Sequence, residues 1–257
     1  MNLDNIEFLS VKEQKTSFPK HYHETFCISL IYSGIEQISL EHQCIYSEKG
    51  SISITNPYEI HSNPIIDSSS IIKFDTIYIS KDLVKYIFNG QNIFFTNRKI
   101  NNPKANLLFI QLKEALDSSD LLKTEQLLIQ FLTILKYYSD EKIEEYSELN
   151  FNSLNNINTY IDNNITNKLN LEELSKVVNI NKFGFAKKFK ASTGMSPMNY
   201  ILMKKIFSSK KLITQHSDLT QIAFDYEFSD LSHFSNTFKR YVGVSPKEYQ
   251  NKNSFIL

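Results

Sequence analysis

The chain has little of what marks several protein classes. It holds two cysteines in 257 residues, Cys27 and Cys44. One pair cannot build the disulfide framework of a small secreted domain, so reduced thiols are expected. No apolar run approaches the roughly 18 residues of a membrane span, which excludes a membrane partner of that kind. Nothing near the N-terminus has the pattern of a signal peptide, and a soluble cytoplasmic protein is the expectation. Only six glycines are present. No glycine-rich phosphate loop and no hydrolytic triad is visible, so no catalytic residue and no cofactor are assigned. Tryptophan is absent, and the 13% aromatic content is Phe and Tyr alone. The formal net charge is +0, so bulk composition is silent about a nucleic-acid partner.

What is present is unevenly spread. Residues 1–150 carry 14 Lys/Arg against 20 Asp/Glu, a net of −6, and residues 151–257 carry 14 against 8, a net of +6. An acidic half and a basic half imply two domains with different partners. The length allows two domains, and 41% hydrophobic residues suffice for two cores.

The first half reads as β, then as helix. Residues 26–32, 35–40, 51–55 and 71–79 are β-branched and aromatic runs separated by Ser33-Gly34 and Asn56-Pro57. Short strands divided by turn signals indicate a sandwich or barrel. Leu83 to Phe88 reads as a short helix, and Ala105–Leu116 and Leu121–Tyr138 space apolar residues three and four apart, as amphipathic helices do. Such a helix pair could pack on the barrel or on a second copy of the chain. Residues 139–150 are polar and acidic and read as a linker, between a first domain over 1–138 and a second over 151–257.

The second half is helical and repeats itself. Phe189 and Phe238 lie 49 residues apart, as do Gly194 and Gly243, Ser196-Pro197 and Ser245-Pro246, and Tyr200 and Tyr249. Upstream the spacing is 48, matching Leu174 with Ile222, Ser175 with Ala223 and Ile180 with Phe228. The change of one residue falls in a turn, where insertion disturbs least. Each copy reads as helix, tight turn, helix: Asn179 tolerates a left-handed backbone, Asn181 can cap the next helix, and Gly194 can end it. A helix from about Pro197 to Ile213, carrying Lys204, Lys205, Lys210 and Lys211, joins the copies.

With Ile222-Ala223, Phe228-Ser229-Asp230, Ser232-His233-Phe234-Ser235, Phe238-Lys239, Gly243 and Ser245-Pro246, residues 151–250 resemble the DNA-binding domain of the AraC/XylS family of bacterial regulators. The resemblance implies outward-facing readers at Phe183, Ala186 and Lys187 in the first unit, and at Leu231, Ser232, Ser235 and Asn236 in the second. Lys187 could reach guanine and Asn236 adenine in the major groove. Lys188, Lys190, Lys239 and Arg240 would neutralise phosphates, which positions the protein without specifying sequence. Four positions depart from the family's habit. Glu227 stands where Gly is usual, at a cost of ~1 kcal/mol if the backbone there is left-handed. Lys205 replaces an Arg, and Ser175 and Ser209 replace Ala.

In the first half, His21-Tyr22-His23-Glu24, Gly34 and Pro57-Tyr58-Glu59-Ile60-His61 resemble the cupin-like barrel that such regulators use as a sensor. The resemblance implies a small effector inside the barrel, contacted by His21, His23, Tyr32 and His61. The three histidines also invite a metal reading, since imidazoles from neighbouring strands can converge. The reading adopted is hydrogen bonding or effector contact, with no metal.

The expected architecture is therefore α+β with two domains: an N-terminal cupin-like β-barrel with helices, and a C-terminal all-α tandem helix-turn-helix domain. The expected function is sequence-specific binding of double-stranded promoter DNA by a small-molecule-responsive activator. Its implied partners are RNA polymerase and a second copy of the chain. Two alternatives stay open: a metal-dependent cupin enzyme fused to a DNA-binding domain, and a ligand-independent regulator whose barrel only dimerises.

Overall fold

A computed structural model describes residue 3 and residues 6–67, 71–142 and 156–252. They group into two compact units, one holding most of the first half and the other the helical second half together with a short strand, β2 (Phe18–His21).

The first unit contains β1 (Ile6–Gln14), β3 (Thr25–Ser33), β4 (Ile35–Ser39), β5 (Cys44–Glu48), β6 (Ile52–Thr55), β7 (His61–Asn63), β8 (Ile72–Ser80), β9 (Ile93–Phe95), β10 (Lys99–Ile100) and β11 (Ser139–Glu141), with helices α1 (Lys81–Ile87), α2 (Pro103–Asp117) and α3 (Leu121–Lys136). One sheet has the order β1-β8-β3-β6-β10. In the other, β4 lies between β7 and β5. The strands are thus shared between two sheets in a cupin-like arrangement.

Alternation along the strands divides the large sheet into two unlike faces. Phe26, Ile28 and Leu30 of β3 share one face with Ile52 and Ile54 of β6 and with Ile77 and Ile79 of β8, and all are buried in one core with the helices. Phe109 of α2 stacks edge-on against Phe8 at 5.2 Å and Phe131 of α3 at 5.8 Å between ring centroids. Side-chain caps start each helix: Ser80 accepts from Leu83 N–H, Asn102 from Lys104 and Ala105 N–H, and Asp120 from Lys123 N–H. The opposite face carries Cys27, Ser29 and Ile31 of β3, Ser53 and Thr55 of β6, and Phe74, Thr76 and Tyr78 of β8.

Ser139–Glu141, at the start of the expected linker, is strand β11, paired antiparallel with β9 through Ser139↔Phe95 and Glu141↔Ile93. Those residues belong to the first unit by their hydrogen bonding, and the rest of that segment from 143 lies outside the described residues.

The second unit contains α4 (Ile157–Asn163), α5 (Leu171–Val177), α6 (Lys182–Thr193), α7 (Pro197–Lys210), α8 (Leu219–Asp225), α9 (Leu231–Val242) and α10 (Pro246–Lys252). The sequence repeat is a repeat of hydrogen bonds. Asn170 and Asp218 cap α5 and α8; Asn181 and Asp230 cap α6 and α9. In the first turn Ile180 N–H donates to Ser175 O, and in the second Phe228 N–H donates to Ala223 O. Asn179 and Glu227 occupy the same left-handed position, with φ of 52° and 60°. The extra residue of the second copy, Ser229, falls between this turn and the next cap. Gly194 and Gly243 close α6 and α9 with φ of 64° and 90°, a backbone that glycine adopts without steric cost. Ser196 and Ser245 then cap the helices that begin at Pro197 and Pro246, and Ser245 and Glu248 form a reciprocal capping box.

Candidate functional site

Helix α6 is fixed by its inner face. Phe185 and Phe189 are buried, and Phe189 meets Tyr200 of α7 edge-on at 5.3 Å. Thr193 is buried as well, and on the other side Phe183 is 76% exposed, Lys187, Lys188 and Lys190 are exposed, and Ala186 is half-buried.

Helix α9 repeats the design. Phe234, Phe238 and Tyr241 are buried at spacings of four and three, and Phe238 packs edge-on against Tyr249 at 5.6 Å. Leu231, Ser232, Asn236, Lys239 and Arg240 are exposed, and Ser235 is half-buried. Every reader and phosphate-contact residue expected from sequence therefore lies on the outward side of α6 or α9.

Helix α7 carries buried Lys205, whose Nζ donates to Asn167 O at 2.9 Å and to Tyr226 O at 2.8 Å. The first carbonyl precedes α5 and the second ends α8, so one ammonium ties both repeats to the helix between them. Burial pulls the Lys205 pKa below its ordinary value, and the nearby Glu227 charge opposes this. Lys204 pairs with Asp162 of α4 at 2.7 Å, which makes it a brace within the unit. The Ser175 and Ser209 hydroxyls donate to carbonyls in their own helices, Glu172 O and Ile206 O, so neither is left unsatisfied.

Of the expected effector residues, His23, Tyr32 and His61 lie in the first unit. His23 and His61 come together with ring centroids 5.4 Å apart, and Tyr78 meets His23 at 5.1 Å. His61 donates from Nδ1 to Glu59 O at 2.8 Å, which makes Nε2 its basic nitrogen, and burial depresses its pKa to about 4. His21 is in the second unit, with its Nδ1 donating to Pro19 O at 2.7 Å. Tyr32 is a correction. It packs against the helix-side core, and its hydroxyl donates to Asp75, which also accepts from Lys113 of α2. A register shift between Ile31 and Ser33 locates a bulge there, and Tyr32 keeps the phase of Ile28 and Leu30.

The surface between the two sheets holds residues that no sequence motif marks. Glu36 of β4 is buried, accepts from Ser53 Oγ at 2.5 Å and from Asn63 Nδ2 at 3.1 Å, and has its pKa pushed up to about 6 by burial. Ser47 of β5 stands directly opposite Glu36 in register. The signal for Glu36 was available: it shares the alternation phase of Ile38, which is also buried.

A two-sheet sensor-like unit and a basic tandem helix-turn-helix unit with two partly exposed capped helices define the class: a two-domain DNA-binding regulator. Comparisons with known proteins agree. Residues 5–132 match a family model described as an AraC-like ligand binding domain, and residues 174–252 match one described as a helix-turn-helix domain. The chain is 28% identical over 234 residues to the probable transcriptional regulator LumQ of Photobacterium leiognathi, covering 90% of this chain and 91% of that one. It is 20% identical over 256 residues to the HTH-type transcriptional activator RhaS of Escherichia coli, covering 94% and 91%. The fold is similar to that of ToxT from Vibrio cholerae, with a TM-score of 0.58 at 17% identity and coverage of 96% and 97%. The chain belongs to the AraC/XylS family of transcriptional regulators. No described helix is long and apolar enough to cross a membrane.

Proposed function

We propose that this regulator is a small-molecule-responsive activator that reads two adjacent major-groove segments of promoter double-stranded DNA, one with α6 and one with α9. The observation that carries the reading is the duplicated presentation. Two helices capped in the same way, each held by its own buried Phe, turn their unburied side chains outward from one chain. In this reading Phe183, Ala186, Lys187, Leu231, Ser232, Ser235 and Asn236 face base edges, and Lys188, Lys190, Lys239 and Arg240 face phosphates. Successive major grooves on one face of DNA lie ~34 Å apart, and the helix between the units sets their separation.

The effector belongs between the two sheets of the first unit. It regulates only if it binds one arrangement of the protein better than another. Activation is supported by the similarity to RhaS, an HTH-type transcriptional activator, and implies contact with RNA polymerase. A homodimer through α2 and α3 is supported by Leu107, Ile110, Leu121, Leu122 and Ile129, large apolar residues left exposed there.

The test is selection of the purified protein on fragments of its own genome, followed by salt titration on the best fragment. One enriched short site, with affinity falling steeply as salt rises, is the expected result. Equal binding to all fragments, by the full chain and by residues 151–257 alike, would refute the reading.

A further inference from the structure

Resting on that effector reading, the interior of the first unit also points to the effector's chemistry. Glu36 is buried, and both of its hydrogen-bond donors, Ser53 and Asn63, are neutral. Among the described residues no Lys or Arg forms an ion pair with it. A buried carboxylate without a cation is costly, and proteins normally pair such a charge or use it. Two donors also leave lone pairs on both carboxylate oxygens unused.

A second, independent observation concerns two hydroxyls. Ser47 Oγ and Thr55 Oγ1 are buried and have no hydrogen-bond partner among the described residues. Ser47 is the cross-strand partner of Glu36, so their side chains share a face about 5 Å apart at Cβ. Thr55 lies two residues beyond Ser53 on β6 and points the same way. Buried polar groups in native proteins are almost always satisfied, and an orphaned group marks a place where another molecule can complete the set. The same face also has an apolar part: Leu9, Val11, Ile31, Ile38 and Phe74 are buried and stand outside the helix-side core, and the Ser29 and Thr76 hydroxyls beside them satisfy each other.

We propose that the interior between the two sheets binds a small organic ammonium ion with an apolar body, its cation on Glu36 and its other N–H groups on Ser47 and Thr55. An ammonium has three donors, and the site offers one anionic and two hydroxyl acceptors. The apolar wall takes the hydrocarbon. His61, held neutral on the same strand face as Asn63, adds no competing positive charge. A carboxylate ligand would instead meet Glu36 as a like charge.

The test uses two sets of matched probes that differ only in the head group: butylamine, butanol and butyrate, and tyramine, tyrosol and 4-hydroxyphenylacetate. Calorimetry and thermal shift are run on the full chain. The amine of each set should bind at least roughly tenfold tighter than its alcohol and its acid, and Glu36→Gln should abolish that preference. Should Glu36→Gln fail to fold, Ser47→Ala and Thr55→Val carry the test. Each removes an unsatisfied buried hydroxyl, so it should leave the free protein as stable or more stable while weakening the amine. Equal or tighter binding of an alcohol or an acid overturns the ammonium assignment and leaves the effector reading standing. No binding of either amine at millimolar concentration also overturns the assignment. Loss of the effector reading itself would show separately, as DNA binding that no small molecule alters.

Discussion

The two helix-turn-helix units share a backbone but not a surface. Cap, left-handed turn, second cap and closing glycine recur at matched positions. The charge does not recur. From Asn170 to Thr193 the first unit has five lysines against two glutamates, and from Asp218 to Val242 the second has two cations against four acids. Even the caps differ, Asn in the first unit and Asp in the second. The proposed reader positions follow suit: an aromatic, an alanine and a lysine on α6, and a leucine, two serines and an asparagine on α9. The frame is held by buried residues and hydrogen bonds that do not reach DNA, so the exposed side chains are free to diverge. The expected division of labour is electrostatic grip from the first unit and hydrogen-bonded readout from the second.

Three perturbations sharpen or break this comparison. The largest effect is expected where the units are joined. Lys205→Met leaves Asn167 O and Tyr226 O without their donor and should cost about 3 kcal/mol of stability, read by urea unfolding of the full chain. Both units should loosen together in hydrogen exchange, and loosening confined to one would refute the shared brace. Next comes readout. Asn236→Ala should relax preference at one base pair by ~1–3 kcal/mol with little change in salt dependence. Lys188→Ala should instead lower affinity on all sequences alike and flatten the slope of binding against salt by about one ion. Identical responses of the two variants would remove the division of labour. The smallest effect concerns the turns. Glu227→Gly should stabilise the second unit by ~1 kcal/mol, less whatever attraction Glu227 gives Lys205, because a non-glycine residue there holds φ at 60°. Asn179→Gly should gain less, since Asn tolerates that conformation better. Thermal melts of the two variants compare them directly.

The second unit was legible because its signals are local. A cap, a turn and a glycine lie within a few residues of one another, and repetition distinguishes them from chance. The departure at Glu227 was legible for the same reason, and the backbone there is left-handed. The first unit was legible as strands followed by helices but not as a site. Its interior is assembled from β4, β5, β6 and β7, and no motif links Glu36 to Ser53 or Asn63. Tyr32 was attractive by residue type, and its phase along β3 sends it to the helix side. Ser139–Glu141 carries no apolar alternation, and its strand exists only because Ile93–Phe95 offers an edge to pair with.

The two-faced character of the large sheet has a consequence for the lineage of such sensors. Cohesion comes from the side packed on α2 and α3, where Phe109, Leu112, Leu128 and Phe131 are fully enclosed. The other side keeps small hydroxyl-bearing residues at Ser29, Ser53, Thr55 and Thr76, whose replacement forfeits little buried hydrocarbon. A regulator of this build can exchange one chemical signal for another by a few substitutions on the inner side while its architecture is inherited intact.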